Sequence, residues 1–159
     1  MALGDRDLPV LHTLGHTRGH IALYDPAYDV VIGGDAFFGR GVFTVGGDYV
    51  QPPPYYLYPE YENTVELIRS LSPDALSLTH YEVFEGDDVE RFATESLASA
   101  AELDALALGL VDERGSVTLR EAIDGVVERR GSFGLDADLA YPISGHFAAH
   151  VDRGTLERL

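Results

Sequence analysis

The sequence predicts an α/β fold: a mixed sheet with helices, followed by a helical C-terminal region. Two observations carry that prediction. Between Val10 and Thr79, short apolar runs alternate with Gly, Pro and Asp, which is how successive strands of a buried sheet read. From Gly86 onward apolar residues recur at helical spacing instead. The chain therefore divides into a sheet-bearing part, residues 1–92, and a helical appendage, residues 93–159.

The first runs are Val10 to Leu14, Ile21 to Tyr24 and Val30 to Ile32. Gly39 to Tyr61, rich in Gly, Pro and Tyr, is a connection whose three consecutive prolines exclude helix or central strand there. Tyr58 to Leu71 places Tyr61, Val65, Leu67 and Ile68 at helical spacing, then leads through Ser72-Pro73 into a strand from Ala75 to Thr79. This is a βαβ-like closure. A second helix opens with Asp87 and Glu90 as its capped start and carries Val89, Phe92, Leu97, Ala100, Leu103 and Leu106 or Ala107 inward to about Gly109. Thr118 with Glu121 is a capping-box pattern, opening a helix to about Arg130 with Leu119, Ile123, Val126 and Val127 inward. A last helix is expected from about Ile143 to Arg158.

Three ligand-type residues stand at matched places in this pattern. His16 follows the first run, Asp35 the third and His80 the Ala75 strand. A residue just past a strand end sits at the sheet edge, where open α/β folds place ligands. Gly15, Gly19, Gly33 and Gly34 free the backbone to turn there. Two imidazoles and a carboxylate suit zinc, with other first-row divalent ions as alternatives.

At these residues the chain resembles the metallo-β-lactamase superfamily, the group that includes the glyoxalase II-like hydrolases. GHTRGHIALYD resembles that family's Gly-His-Thr-Pro-Gly-His turn, with Arg18 where Pro is usual. IGGDAFF resembles its Gly-Asp element, and LSPDALSLTHYEVFEG its last strand and terminal histidine. The resemblance covers residues 9 to 92 and implies that His16 binds a first metal, Asp35 bridges two, and His80 binds the second. It also implies half of an αββα sandwich, the second of two βα halves. The family's remaining ligands lie on a His-x-His-x-Asp-His motif, which this sequence lacks.

Other candidates have plainer readings. His20 belongs to the His16 turn and is expected to hydrogen-bond within it. His12 reads as a satisfied core histidine inside a strand. His146 and His150, four apart, read as an exposed pair on one helix face, and Glu82 and Glu85 as solvated charges. Tyr49, Tyr55, Tyr56, Tyr58 and Tyr61 form either an aromatic lid over a substrate or an interface.

Composition limits the setting. The 159 residues are 45% hydrophobic, enough for a core. The net charge of −16 comes from 27 acidic against 11 basic residues, all of the latter Arg. Self-repulsion of that size is screened at molar salt, so a salt-rich cytoplasm is the expected origin, and neither nucleic acid nor an anionic membrane is an expected partner. Without cysteine, disulfides and thiolate ligands are excluded. No apolar run reaches about 18 residues, and no leader pattern occurs.

Two functions follow from the resemblance. One is a metal-dependent hydrolase in which metal-activated water attacks an ester, thioester, lactone or amide of a small-molecule substrate. The other is a catalytically inactive half-fold with a residual or empty metal site. Without the missing motif the chain alone is expected to be inactive. Its apolar strands also call for a cover over one sheet face, supplied by a homodimer or by a missing N-terminal half. The charge yields the first test: the melting temperature should rise steeply from dilute buffer to molar KCl, and a melting temperature unchanged over that range contradicts the salt-adapted reading.

Overall fold

A computed structural model describes residues 1–44, 46–131 and 136–157, leaving aside the side chains of residues 49–51, 136 and 137. In chain order the strands are β1 (Ala2–Leu3), β2 (Arg6–Asp7), β3 (Val10–His12), β4 (Ile21–Asp25), β5 (Val30–Gly34), β6 (Val42–Phe43), β7 (Tyr49–Gln51), β8 (Ala75–Leu78) and β9 (Phe84–Glu85). The helices are α1 (Tyr58–Leu71), α2 (Asp87–Arg114), α3 (Leu119–Arg130) and α4 (Ala140–Asp152), the last preceded by a 3-10 turn, Asp136–Leu139.

Five strands form one mixed sheet in the order β3-β4-β5-β8-β9. All its pairings are antiparallel except β5 with β8, which run parallel because α1 carries the chain between them. The register sets Tyr24, Val31, Leu76 and Phe84 in one row and Val10, Leu23, Ile32 and Ser77 in another. Alternation along a strand sends such neighbouring rows to opposite faces. Val31 and Leu76 are fully buried, in one core with Tyr61, Val65 and Ile68 of α1 and Val89, Phe92 and Ala93 of α2. Each large apolar side chain buried this way contributes roughly 1.5–3 kcal/mol. Among the described residues no helix covers the opposite face: Val10, Ile21 and Ile32 are 46%, 49% and 47% exposed.

A second core joins α2, α3 and α4 through Leu103, Leu110, Ala122, Ile123, Val126 and Ile143, with Leu139 from the preceding turn. Helix α2 serves both cores. It runs unbroken across position 92, and the change from one core to the other falls between Ala100 and Leu103. Among the described residues no helix is long and apolar enough to cross a membrane.

Several expectations are met closely. Helix α1 has the expected bounds, with Pro at the start of its first turn, where the missing N–H costs nothing. The Thr118 capping box is complete: its hydroxyl accepts from the Glu121 N–H, and the Glu121 carboxylate accepts from the Thr118 N–H.

Other expectations are corrected. Helix α2 has no side-chain cap at Gly86; Asp87, Asp88 and Glu90 instead face the positive end of the helix dipole. It also continues past Gly109 to Arg114 and stops at Gly115, whose φ of 76° ends the helix. Leu119 is exposed rather than inward. Helix α4 starts at Ala140, since Pro142 is tolerated in a first turn, and stops at Asp152; the expected end at Arg158 lies outside the described residues. His12 is exposed, because β3 is an edge strand and alternation puts His12 on the uncovered face with Val10.

The largest correction concerns His146 and His150, which are buried rather than exposed. Asp104 Oδ1 on α2 lies 2.9 Å from His146 Nδ1 and 2.8 Å from His150 Nε2. Burial pushes the Asp104 carboxyl up, but hydrogen bonds from the two histidines outweigh it and hold the group below its usual range. Burial also lowers the His146 pKa, more than Asp104 raises it. A histidine held neutral in the native state contributes stability that is fully present above its unfolded value of about 6.5 and lost as pH falls through the lowered native value. The His146 ring should therefore keep neutral NMR shifts at pH 6.5; a ring half protonated there contradicts this.

Candidate metal centre

The turn between β3 and β4 carries His16, and its shape is set by contacts with α1. Gly15 has φ 134°, and a Cβ there would lie 2.7 Å from Tyr61 Cα, so no side chain fits. Thr64 of α1 donates to the Leu14 carbonyl at 2.6 Å, and the Gly15 carbonyl accepts from the N–H groups of Tyr56 and Leu57. Of the four expected turn glycines, Gly15 and Gly34 have positive φ; Gly19 and Gly33 do not. Gly33 instead faces Leu76 and Leu78.

His16 Nδ1 lies 2.6 Å from the Pro54 carbonyl oxygen, which can only accept. Nδ1 therefore carries the proton and donates it, leaving the lone pair on Nε2. That nitrogen faces Asp35 Oδ2 at 3.9 Å, and His80 Nε2 stands 3.3 Å from Asp35 Oδ1. The three residues named from the sequence thus lie around one carboxylate. Phe38 packs between the two histidines, its ring centroid 5.6 Å from that of His16 and 6.3 Å from that of His80.

His20 hydrogen-bonds within its turn, as expected, and reaches further. Its Nε2 accepts the Asp35 backbone N–H at 3.1 Å, so its Nδ1 carries the proton and donates to Thr13. Burial lowers the His20 pKa, which keeps Nε2 available as that acceptor. The Tyr81 hydroxyl, next to His80, lies 2.6 Å from the carbonyls of both Phe38 and Gly41 and donates its one proton to either, so it anchors the turn after Asp35. Glu82 and Glu85 are exposed.

Asp35 Oδ1 is buried yet has no hydrogen-bond partner, because the His80 approach lacks hydrogen-bonding geometry. A buried carboxylate oxygen without a donor is costly unless a cation satisfies it. Two imidazoles and a carboxylate with an orphaned oxygen are donor types that a divalent ion takes. The three do not close into a complete cluster: among the described residues no group of three or more His, Cys, Asp or Glu side chains stands in metal-holding arrangement.

The tyrosines separate by environment. Tyr55, Tyr58 and Tyr61 are buried, and Tyr55 stacks on Tyr61 with centroids 4.4 Å apart. Burial raises the Tyr61 pKa to about 12. Tyr56 is 45% exposed, its ring 6.3 Å from His16 and 4.7 Å from that of Tyr141 on α4. The Tyr49 side chain lies outside the described residues. Sequence reasoning missed Pro54, which acts through its backbone carbonyl. Gly15→Ala should destabilise the fold by more than about 1 kcal/mol, since it combines a positive φ with a backbone clash. An unchanged urea midpoint would show that the turn has another conformation.

Comparisons with known proteins identify the family and the fold. The metallo-beta-lactamase superfamily profile matches residues 1–80. A chicken (Gallus gallus) protein described as acyl-coenzyme A thioesterase MBLAC2 is 24% identical over 131 residues, covering 73% of this chain and 45% of its own length. The human (Homo sapiens) protein of that name is 28% identical over 102 residues, covering 62% of this chain and 34% of its own. Among solved structures, the metallo-beta-lactamase family protein TTHA1429 from Thermus thermophilus matches the whole chain with a TM-score of 0.73 at 21% identity, over 48% of that protein. A beta-lactamase domain protein from Burkholderia ambifaria matches it with a TM-score of 0.70 at 18% identity, over 46% of that protein. The chain spans less than half the length of each of these relatives. The fold, the placement of His16, Asp35 and His80, and the profile match over half the sequence lead to one conclusion: the chain belongs to the metallo-β-lactamase superfamily.

Proposed function

We propose that this chain is part of a metal-dependent hydrolase that cleaves an ester, thioester, lactone or amide, with His16, Asp35 and His80 as ligands to a divalent ion, zinc first among the candidates, and without the His-x-His-x-Asp-His motif. The orphaned, buried Asp35 Oδ1 carries this reading. An ion held by His16, Asp35 and His80 would supply Lewis-acid activation of water and of a substrate carbonyl. The chain's own residues do the positioning. His16 offers Nε2 because Pro54 takes its Nδ1 proton, and His20 fixes Asp35 by accepting its backbone N–H. The exposed Tyr56 ring lines the approach to His16 and supplies an apolar wall. The names of the chicken and human relatives favour a thioester within this substrate class.

The second reading, an inactive half-fold, is favoured by the incomplete ligand cluster and by the lack of a His-x-His-x-Asp-His motif in the sequence. The two readings share one requirement, a cover over the sheet face that bears Val10, Ile21 and Ile32. A second copy of the chain, or a complementary N-terminal half, would bury those side chains. The net charge of −16 supports a cytoplasm of high ionic strength as the setting.

Metal analysis and thioester hydrolysis, measured with light scattering at high salt, separate the readings. On the first, the protein binds zinc, Asp35→Asn abolishes that binding, and hydrolysis appears in the chain or on adding a complementary half. Zinc binding unaffected by Asp35→Asn would overturn the ligand assignment. A monomer by light scattering would refute the homodimer.

A further inference from the structure

We propose that His146 is a positioning residue for the candidate metal centre: through Tyr55 it fixes the Pro54 carbonyl that orients His16, so the helical C-terminal region governs the ligand. This rests on the reading of His16 as a metal ligand.

The argument starts with the segment that holds His16. Pro52, Pro53 and Pro54 have no N–H, so this stretch cannot be fixed by donating into a strand ladder. Its position depends on the three residues after it. The N–H groups of Tyr56 and Leu57 donate to the Gly15 carbonyl at 2.9 and 3.1 Å. Between them and Pro54 lies Tyr55, fully buried, stacked on Tyr61, its hydroxyl 2.8 Å from His146 Nε2. One peptide unit separates that anchor from the carbonyl that accepts the His16 proton.

Proton positions in the anchor are dictated by its acceptor. The ionised Asp104 carboxylate can only accept, so His146 Nδ1 and His150 Nε2 both donate to it. His146 Nε2 then bears the lone pair and accepts from the Tyr55 hydroxyl. The chain Tyr55–His146–Asp104–His150 ends at His150 Nδ1, buried without a partner. The Tyr58 ring covers His146 at a centroid distance of 3.9 Å. Helix α4 reaches the segment directly: a Cβ on Gly145 would lie 2.8 Å from the Tyr56 carbonyl oxygen, so α4 seats against that backbone.

Apolar side chains would fill the same volume without the cost of burying an imidazole and a carboxylate. What the polar chain adds is a defined place for the Tyr55 hydroxyl. Groups that orient a metal-ligating histidine typically change metal affinity by about 10–100-fold when removed.

Tyr55→Phe keeps the stacked ring and removes only the hydroxyl. Two readouts are compared with wild type: cobalt(II) affinity, with its visible absorption bands, and the His16 Nδ1–H resonance of the metal-free protein by NMR. We expect cobalt(II) affinity to fall by roughly 10-fold or more and the His16 resonance to broaden by exchange. A lower melting temperature with both readouts unchanged would mean that the network is merely structural and would overturn the proposal. Wild type that binds no cobalt(II) would instead overturn the ligand reading, while the His16 resonance still decides whether His146 and His16 are coupled. If Tyr55→Phe fails to fold, His146→Leu, which removes the acceptor for the Tyr55 hydroxyl, is read in the same two ways.

Discussion

The parallel pairing of β5 with β8 is the arrangement on which the rest of the molecule depends. Because α1 returns the chain before β8 begins, the two strands end at the same edge, and the residues just past them, Asp35 and His80, become neighbours. Strand β4 runs opposite to β5, so its entry turn, with His16, opens at that edge too. Strand direction alone brings together residues far apart in sequence. The hydrogen bond from the Asp35 N–H to His20, and the proline carbonyl against His16, then set orientation.

Polar contacts fix the turns and helices around the cores. Ser96 of α2 accepts from the Gly39 N–H and donates to the Phe92 carbonyl, tying the turn after Phe38 to the helix. The Tyr61 hydroxyl accepts from the Phe38 N–H. Asp104 gathers two histidines of α4. Apolar burial supplies most of the stabilising free energy, and these fewer directional contacts select one arrangement of the helices over the sheet.

Much of this was legible in the sequence wherever the cause is local. The βαβ closure, the bounds of α1 and the Thr118 capping box follow from periodicity and cap chemistry within a few residues. His16, Asp35 and His80 stand out because each follows an apolar run. What the sequence did not reveal depends on distant partners. His146 and His150 look like an exposed helical pair until Asp104, a full helix away in the chain, is placed opposite them. His12 looks like a core residue until β3 is known to be an edge strand. Pro54 matters through a backbone carbonyl, which no side-chain pattern reports.

Helix α2 has 28 residues and at about 1.5 Å per residue extends for roughly 42 Å. Its first half belongs to the sheet core and its second half to the helical core, with no break between them. A rod shared in this way makes cooperativity a property of the backbone rather than of an interface. Fraying from the Arg114 end removes neighbours from α3 and α4, and any fraying that reaches Ala100 exposes the covered side of the sheet. The sheet and the helical region therefore draw stability from the same rod, so loosening α2 weakens both cores.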